Sequence, residues 1–93
     1  MVRKDYRSHV GVILRILEVI ASQNSTGVTK IIRDANLAYN RAKTYLNRLE
    51  QRGYIERIEQ GRSKPYRLTE KGREFLKVLR WAEGFFDSLG FPL

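Results

Sequence analysis

A mainly α-helical fold with one small β-hairpin is what this 93-residue sequence predicts. Three features point to it. Two stretches with helical apolar spacing, residues 30–35 and 39–52, lie about three residues apart. Gly53 then separates the second stretch from two short β-prone segments around a basic turn. Finally, residues 70–89 form one long amphipathic stretch.

The first helix is expected over residues 8–22, with Ser8 as N-cap. Val10, Ile13, Leu14, Leu17 and Ile20 make one apolar stripe, and Val12, Ile16 and Val19 make a second. A helix apolar on two sides is covered on two sides. The second cover is either the rest of the same core or another subunit. Gln23-Asn24-Ser25-Thr26-Gly27 is polar turn chemistry, Val28 is expected as a one-residue bridge, and Thr29 as the cap of a helix over 30–35. Asn36-Leu37-Ala38 then turns the chain into the helix over 39–52. There Ala42, Tyr45, Leu46 and Leu49 mark the inward face. Two short helices joined this closely, the second basic and amphipathic, form a helix-turn-helix pattern.

Gly53 sits where a left-handed residue ends a helix. Residues 54–58 read as a strand with Tyr54 or Ile55, and Ile58, turned inward. Residues 60–65 read as a turn and 66–68 as the returning strand. The pair carries Arg62, Lys64 and Arg67 with no acid between Gln60 and Arg67. It is therefore expected as a basic wing, the alternative being a solvated loop. Thr69 caps the last helix, and Glu70 places negative charge in its first turn. Along that helix Phe75, Val78, Leu79, Ala82, Phe85, Phe86 and Leu89 share about one third of the circumference, with Leu76 and Trp81 on the flanks. This is more apolar surface than a small domain covers alone. The expectation is a homodimer joined through Phe75, Val78, Leu79, Ala82, Phe85, Phe86 and Leu89, together with Val12, Ile16 and Val19 of the first helix. The alternative is that the last helix folds back over the first. The whole chain, 1–93, is expected as a single winged-helix domain: residues 8–68 as helix-turn-helix core and wing, 69–90 as dimerisation helix.

Composition narrows the function. The hydrophobic fraction of 42% and charged fraction of 30% are globular values. No apolar run approaches the ~20 residues of a membrane span. The opening residues lack the small-residue cleavage site of a secretory signal, so a cytoplasmic protein is expected. With no cysteine and only His9, no metal site and no cofactor is expected, and His9 is read as structural. No nucleophile–base pair, phosphate-cradling glycine loop or acidic metal cluster can be assembled, so no enzymatic activity is expected. The net charge of +8 is concentrated: residues 26–67 carry ten Lys/Arg against four Asp/Glu, the remainder eight against six. Such asymmetry points to nucleic acid, not to a membrane surface, because the basic face has no large apolar residues to insert.

On the outward face of the 39–52 helix, Asn40, Thr44, Asn47 and Gln51 form an uncharged stripe edged by Arg41, Lys43 and Arg48. Amides and hydroxyls read base edges, while Arg and Lys grip phosphate or guanine. Asn40, Lys43, Thr44 and Asn47 are thus the expected base readers of double-stranded DNA. Arg41, Arg48, Arg62 and Lys64 are expected on phosphates, with Lys30 as a weaker candidate. Tyr39 either contacts DNA or packs against the turn; Tyr45, Tyr54 and Tyr66 are expected in core or hairpin packing. A transcriptional regulator is the expected function. Its alternatives are a sequence-independent architectural DNA binder and a winged-helix protein-interaction module.

The segments Lys30-Ile31-Ile32-Arg33-Asp34-Ala35-Asn36-Leu37-Ala38-Tyr39, Tyr45-Leu46, Leu49, Gly53-Tyr54-Ile55 and Tyr66-Arg67-Leu68-Thr69-Glu70-Lys71-Gly72-Arg73-Glu74-Phe75-Leu76 carry a family likeness. Over residues 8–80 the chain resembles the archaeal winged-helix DNA-binding proteins, in particular the small dimeric type first known from the ten-kilodalton DNA-binding proteins of Sulfolobus. The resemblance implies a winged helix whose C-terminal helix pairs antiparallel in a homodimer, and duplex DNA binding in transcription or chromatin. It transfers no base contacts. Because the C-terminal helix here is short, a compact dimer is expected, not two heads held apart on a long rod.

Overall fold

The computed structural model describes residues 8–93. Residues 1–7, the opening stretch in which no secretory signal is expected, lie outside the described residues. Four helices and a two-stranded hairpin follow in the order α1 (His9–Ala21), α2 (Val28–Ala35), α3 (Tyr39–Gln51), β1 (Ile55–Arg57), β2 (Tyr66–Leu68) and α4 (Glu70–Ser88).

Helix α1 is the central element, in contact with α2, α4 and β2. Ser8 caps it, its Oγ accepting from the Gly11 N–H at 3.0 Å. Val12, Leu14, Ile16, Leu17, Val19 and Ile20 are all buried. Apart from exposed Val10 and half-buried Ile13, both apolar stripes are therefore consumed within one chain. This corrects the expectation that Val12, Ile16 and Val19 face a second subunit: they are 0–3% exposed because α2, β2 and α4 already surround the helix.

The link into α2 also differs from expectation. Thr26, not Val28, makes the bridge: its N–H and C=O pair with Tyr66 at 2.8 Å each, and its Oγ1 donates to the Ile20 carbonyl. Thr26 thus lies beside β2 as a one-residue third strand. The chain turns straight from that bridge into α2, so Gly27 is the N-cap and Val28 the first helical residue; Thr29 caps nothing. At the other end Asn36 is left-handed (φ 55°), with Asn36 N–H on Arg33 C=O and Leu37 N–H on Ile32 C=O. This is a Schellman closure. The same pair of bonds ends α3, where Gly53 (φ 81°) bonds Glu50 and Tyr54 bonds Leu49. The left-handed backbone there suits glycine, as the sequence indicates.

The hairpin is antiparallel, with Ile55 opposite Leu68, Glu56 opposite Arg67 and Arg57 opposite Tyr66. Ile55, Tyr66 and Leu68 face the core. Beyond the strands, Gln60 and Ser63 exchange both backbone bonds at 3.1 Å around Gly61 (φ 62°) and Arg62, a tight two-residue tip.

Helix α4 turns Leu76 and Leu79 into the core, and Phe75 is half-buried against Tyr54, ring centroids 4.6 Å apart. Leu79 is consequently a core residue and not the interface residue expected. Gly72 lies where the first turn of α4 meets the link between α3 and β1: a Cβ there would collide with the Tyr54 carbonyl oxygen. The outer half of α4 is different in kind. Val78, Trp81, Phe85, Phe86 and Leu89 are exposed, as is Phe91 beyond the helix. Trp81 stacks on Phe85, and Phe85 meets Phe86 edge-on.

Candidate nucleic-acid interface

Helix α3 is held by Ala42, Leu46 and Leu49, all buried, with Tyr45 half-buried beside them. Burying each leucine stabilises the helix by about 1.5–3 kcal/mol. That anchoring fixes which residues face outward. Asn40, Thr44, Asn47 and Gln51 are exposed, Arg48 with them, and Lys43 and Arg41 are partly exposed. The uncharged stripe and its cationic edges stand clear of the core. Tyr39 is 57% exposed and does not pack away against the turn.

Within the stripe the Thr44 hydroxyl donates to the Asn40 carbonyl at 3.1 Å. Its hydrogen is thereby engaged inside the helix. What Thr44 shows outward is a methyl group and oxygen lone pairs. Arg41 lies over the Tyr45 ring at 5.9 Å. Lys43 and Arg48 make no ion pair with any described residue, which leaves their charge for an outside anion.

The wing is braced from within. Arg57 lies 4.8 Å over the Tyr66 ring and its Nε donates to the Lys64 carbonyl, tying the outgoing limb to the returning one. Arg67 pairs across the strands with Glu56 at 3.1 Å. Arg62 at the tip and Lys64 beside it are exposed and make no ion pair with a described residue. The sequence does not single out Arg57, because its role depends on strand register, which places it opposite Tyr66.

Lys30 is differently placed. It pairs with Asp34 at 2.7 Å, four residues on, and Arg33 reaches the same carboxylate at 3.2 Å. The Lys30 hydrogen bond, then that of Arg33, hold the Asp34 carboxyl below the usual carboxylate value. Lys30 is thus already engaged, whereas Arg62 and Lys64 form no ion pair with a described residue. His9 contacts Tyr45, Nδ1 to hydroxyl 2.7 Å, linking the start of α1 to α3. Among the described residues no three His, Cys, Asp or Glu side chains converge as a metal site. None of the described helices is long and apolar enough to cross a membrane.

Helix-turn-helix, a basic braced hairpin and a following helix define a class. The chain belongs to the winged helix-turn-helix family, whose model matches residues 6–84. Among solved structures it is similar to Sso10a-2, a DNA-binding protein from Sulfolobus solfataricus, with a TM-score of 0.80 and 24% identity over 89% of this chain and 85% of that one. It is also similar to the transcriptional regulator SlyA (TM-score 0.74, 22% identity, 86% of this chain, 58% of that one). A third likeness is to the transcriptional repressor CouR bound to a 23-mer DNA duplex (TM-score 0.65, 24% identity, 72% of this chain, 49% of that one). The chain therefore spans about half the length of these two regulators. At such identities the likeness is one of fold. No curated protein sequence matches the chain.

Proposed function

We propose that this chain is a double-stranded DNA-binding transcriptional regulator, with α3 in the major groove and the wing, residues 60–66, on the backbone or minor groove. One observation carries the proposal: α3 buries Ala42, Leu46 and Leu49 while Asn40, Thr44, Asn47 and Gln51 remain exposed between cations. Asn40, Lys43, Thr44 and Asn47 read base edges; Arg41, Arg48, Arg62 and Lys64 hold phosphates. Lys30 contributes only by giving up Asp34. The chain acts as a binding protein, needs no cofactor, and works in the cytoplasm as a single domain.

The regulator acts as a homodimer, so that two α3 helices address successive major grooves about one helical turn apart. Its contact is the outer part of α4: Val78, Trp81, Phe85, Phe86 and Leu89, with Phe75 and Ala82 at the margin. Six large apolar side chains exposed together, Phe91 included, are a patch that soluble monomers rarely carry.

Selection of bound duplexes from random DNA at moderate salt tests the proposal. A recurrent two-fold-related sequence is the expected result. Retention of all duplexes alike identifies an architectural binder instead, and no retention even at low salt refutes DNA binding.

A further inference from the structure

Positive charge that the proposed DNA face leaves unused gathers on the first half of α4. Arg73, Lys77 and Arg80 follow one another at four- and three-residue spacing, so they share one side of the helix and span about 10 Å along it. They edge a groove of about 380 Å3 between the end of α1, β2 and α4, and Arg67 of β2 belongs to the same lining. No carboxylate is among the lining residues. Ile20, Leu68 and Leu76, all buried, give the groove an aliphatic floor. Gln23 and Asn24, both exposed, bring amides to its edge.

These cations are positioned without being consumed. Arg73 Nη1 donates to the Leu68 carbonyl at 3.3 Å, which orients the guanidinium, and Arg73 pairs with no described acid. Lys77 and Arg80 approach Glu74 and Glu18 only at 3.7 and 3.6 Å, too long for charge-assisted hydrogen bonds. Such exposed pairs are weak and part readily. Arg67 is the firmer one, held by Glu56 at 3.1 Å. Nor does the end of α1 absorb the charge. Its carbonyls at Glu18, Val19 and Ile20 are met by the N–H groups of Ser22 and Gln23 and by the Thr26 hydroxyl.

A row of three cations matches several negative groups in line better than a single carboxylate. The floor and the two amides match a flat heterocycle with donors and acceptors on its edge. Concavity and volume are those of a small-molecule site. We propose that this groove binds a nucleoside triphosphate, its phosphates along Arg73, Lys77 and Arg80 and its base on Ile20 and Leu76 beside Gln23 and Asn24. None of the side chains assigned to the duplex takes part, so the site is independent of the DNA-binding proposal.

The test titrates metal-free ATP into the full chain at constant ionic strength and follows backbone amides by NMR. Saturable shifts at Ala21, Gln23, Asn24, Arg73, Lys77 and Arg80 are expected. Absence of saturation refutes the proposal. So do shifts confined to residues 40–51 and 60–64, where ATP would merely imitate a DNA backbone. Inorganic triphosphate should bind more weakly and adenosine not at all; equal binding of triphosphate overturns the role of the aliphatic floor. The double variant Lys77→Gln with Arg80→Gln, changed only at exposed positions, should weaken ATP at least about tenfold. Unchanged affinity in that variant contradicts the assignment. Arg33→Gln, which removes a charge on α2 outside the groove, should bind ATP as the native chain does. A comparable loss there means that net charge alone attracts the nucleotide, and the site is lost. Duplex added to the ATP-loaded chain should leave the groove shifts in place. If it displaces ATP, the stripe belongs to a duplex contact and the proposal is overturned.

Discussion

Thr69 joins the end of α3 to the start of α4 through one hydroxyl, which donates to the Gly53 carbonyl at 2.6 Å and accepts from the Gly72 N–H at 3.0 Å. Its backbone N–H also reaches the Tyr54 carbonyl at 3.2 Å. The proposed reading helix and the proposed dimer helix thus share one polar junction. Thr69→Ala should destabilise the fold by about 1–2 kcal/mol through loss of the cap, and Thr69→Ser should recover most of it. Urea unfolding of the three proteins, read by circular dichroism, checks this.

Much of that junction can be read from the sequence. Thr69 before Glu70, and Gly53 after a periodic helix, are local signals, and local signals predict helix ends well here. The requirement for Gly72 is not local: it follows from how closely the first turn of α4 approaches the Tyr54 carbonyl. The same distinction explains the interface residues. Apolar spacing placed Val12, Ile16 and Val19 on a helix face, but spacing cannot say whether that face meets the chain's own elements or another copy. Thr26 carries no strand signal, because a one-residue bridge has no periodicity. The outward stripe of α3 was legible because Ala42, Leu46 and Leu49 fix its opposite side.

Thr44 offers a sharper forecast about sequence preference. With its hydrogen held by the Asn40 carbonyl, its methyl is the group best placed to meet a thymine methyl. In binding-site selection, Thr44→Val should keep the native preference at that base pair, whereas Thr44→Ser should lose it.

Asp34 restrains two cations, Lys30 and Arg33. Asp34→Asn should raise duplex affinity for all sequences alike and steepen the dependence on salt by about one counterion, measured by fluorescence anisotropy. The native carboxyl titrates below 3.8, the ordinary value. A depressed folded value means its stabilising effect is present above the ordinary value and fades as pH falls through the lowered one. Carbon-detected NMR titration of Asp34 should find its midpoint below 3.8.

Trp81 is 71% exposed, so a charge there should leave the monomer folded. Trp81→Glu should shift the sedimentation coefficient from dimer to monomer with little change in helical content. Because both half-sites then bind singly, duplex affinity should fall by at least about tenfold.

The face that meets DNA can be seen directly by titrating a selected duplex into the labelled chain and following amide and side-chain resonances. The largest shifts are expected at the side-chain amides of Asn40, Asn47 and Gln51 and at the backbone amides of residues 60–64 and 66, with residues 78–89 nearly unmoved. Shifts confined to 78–89, with the α3 stripe unchanged, would contradict the proposed DNA face.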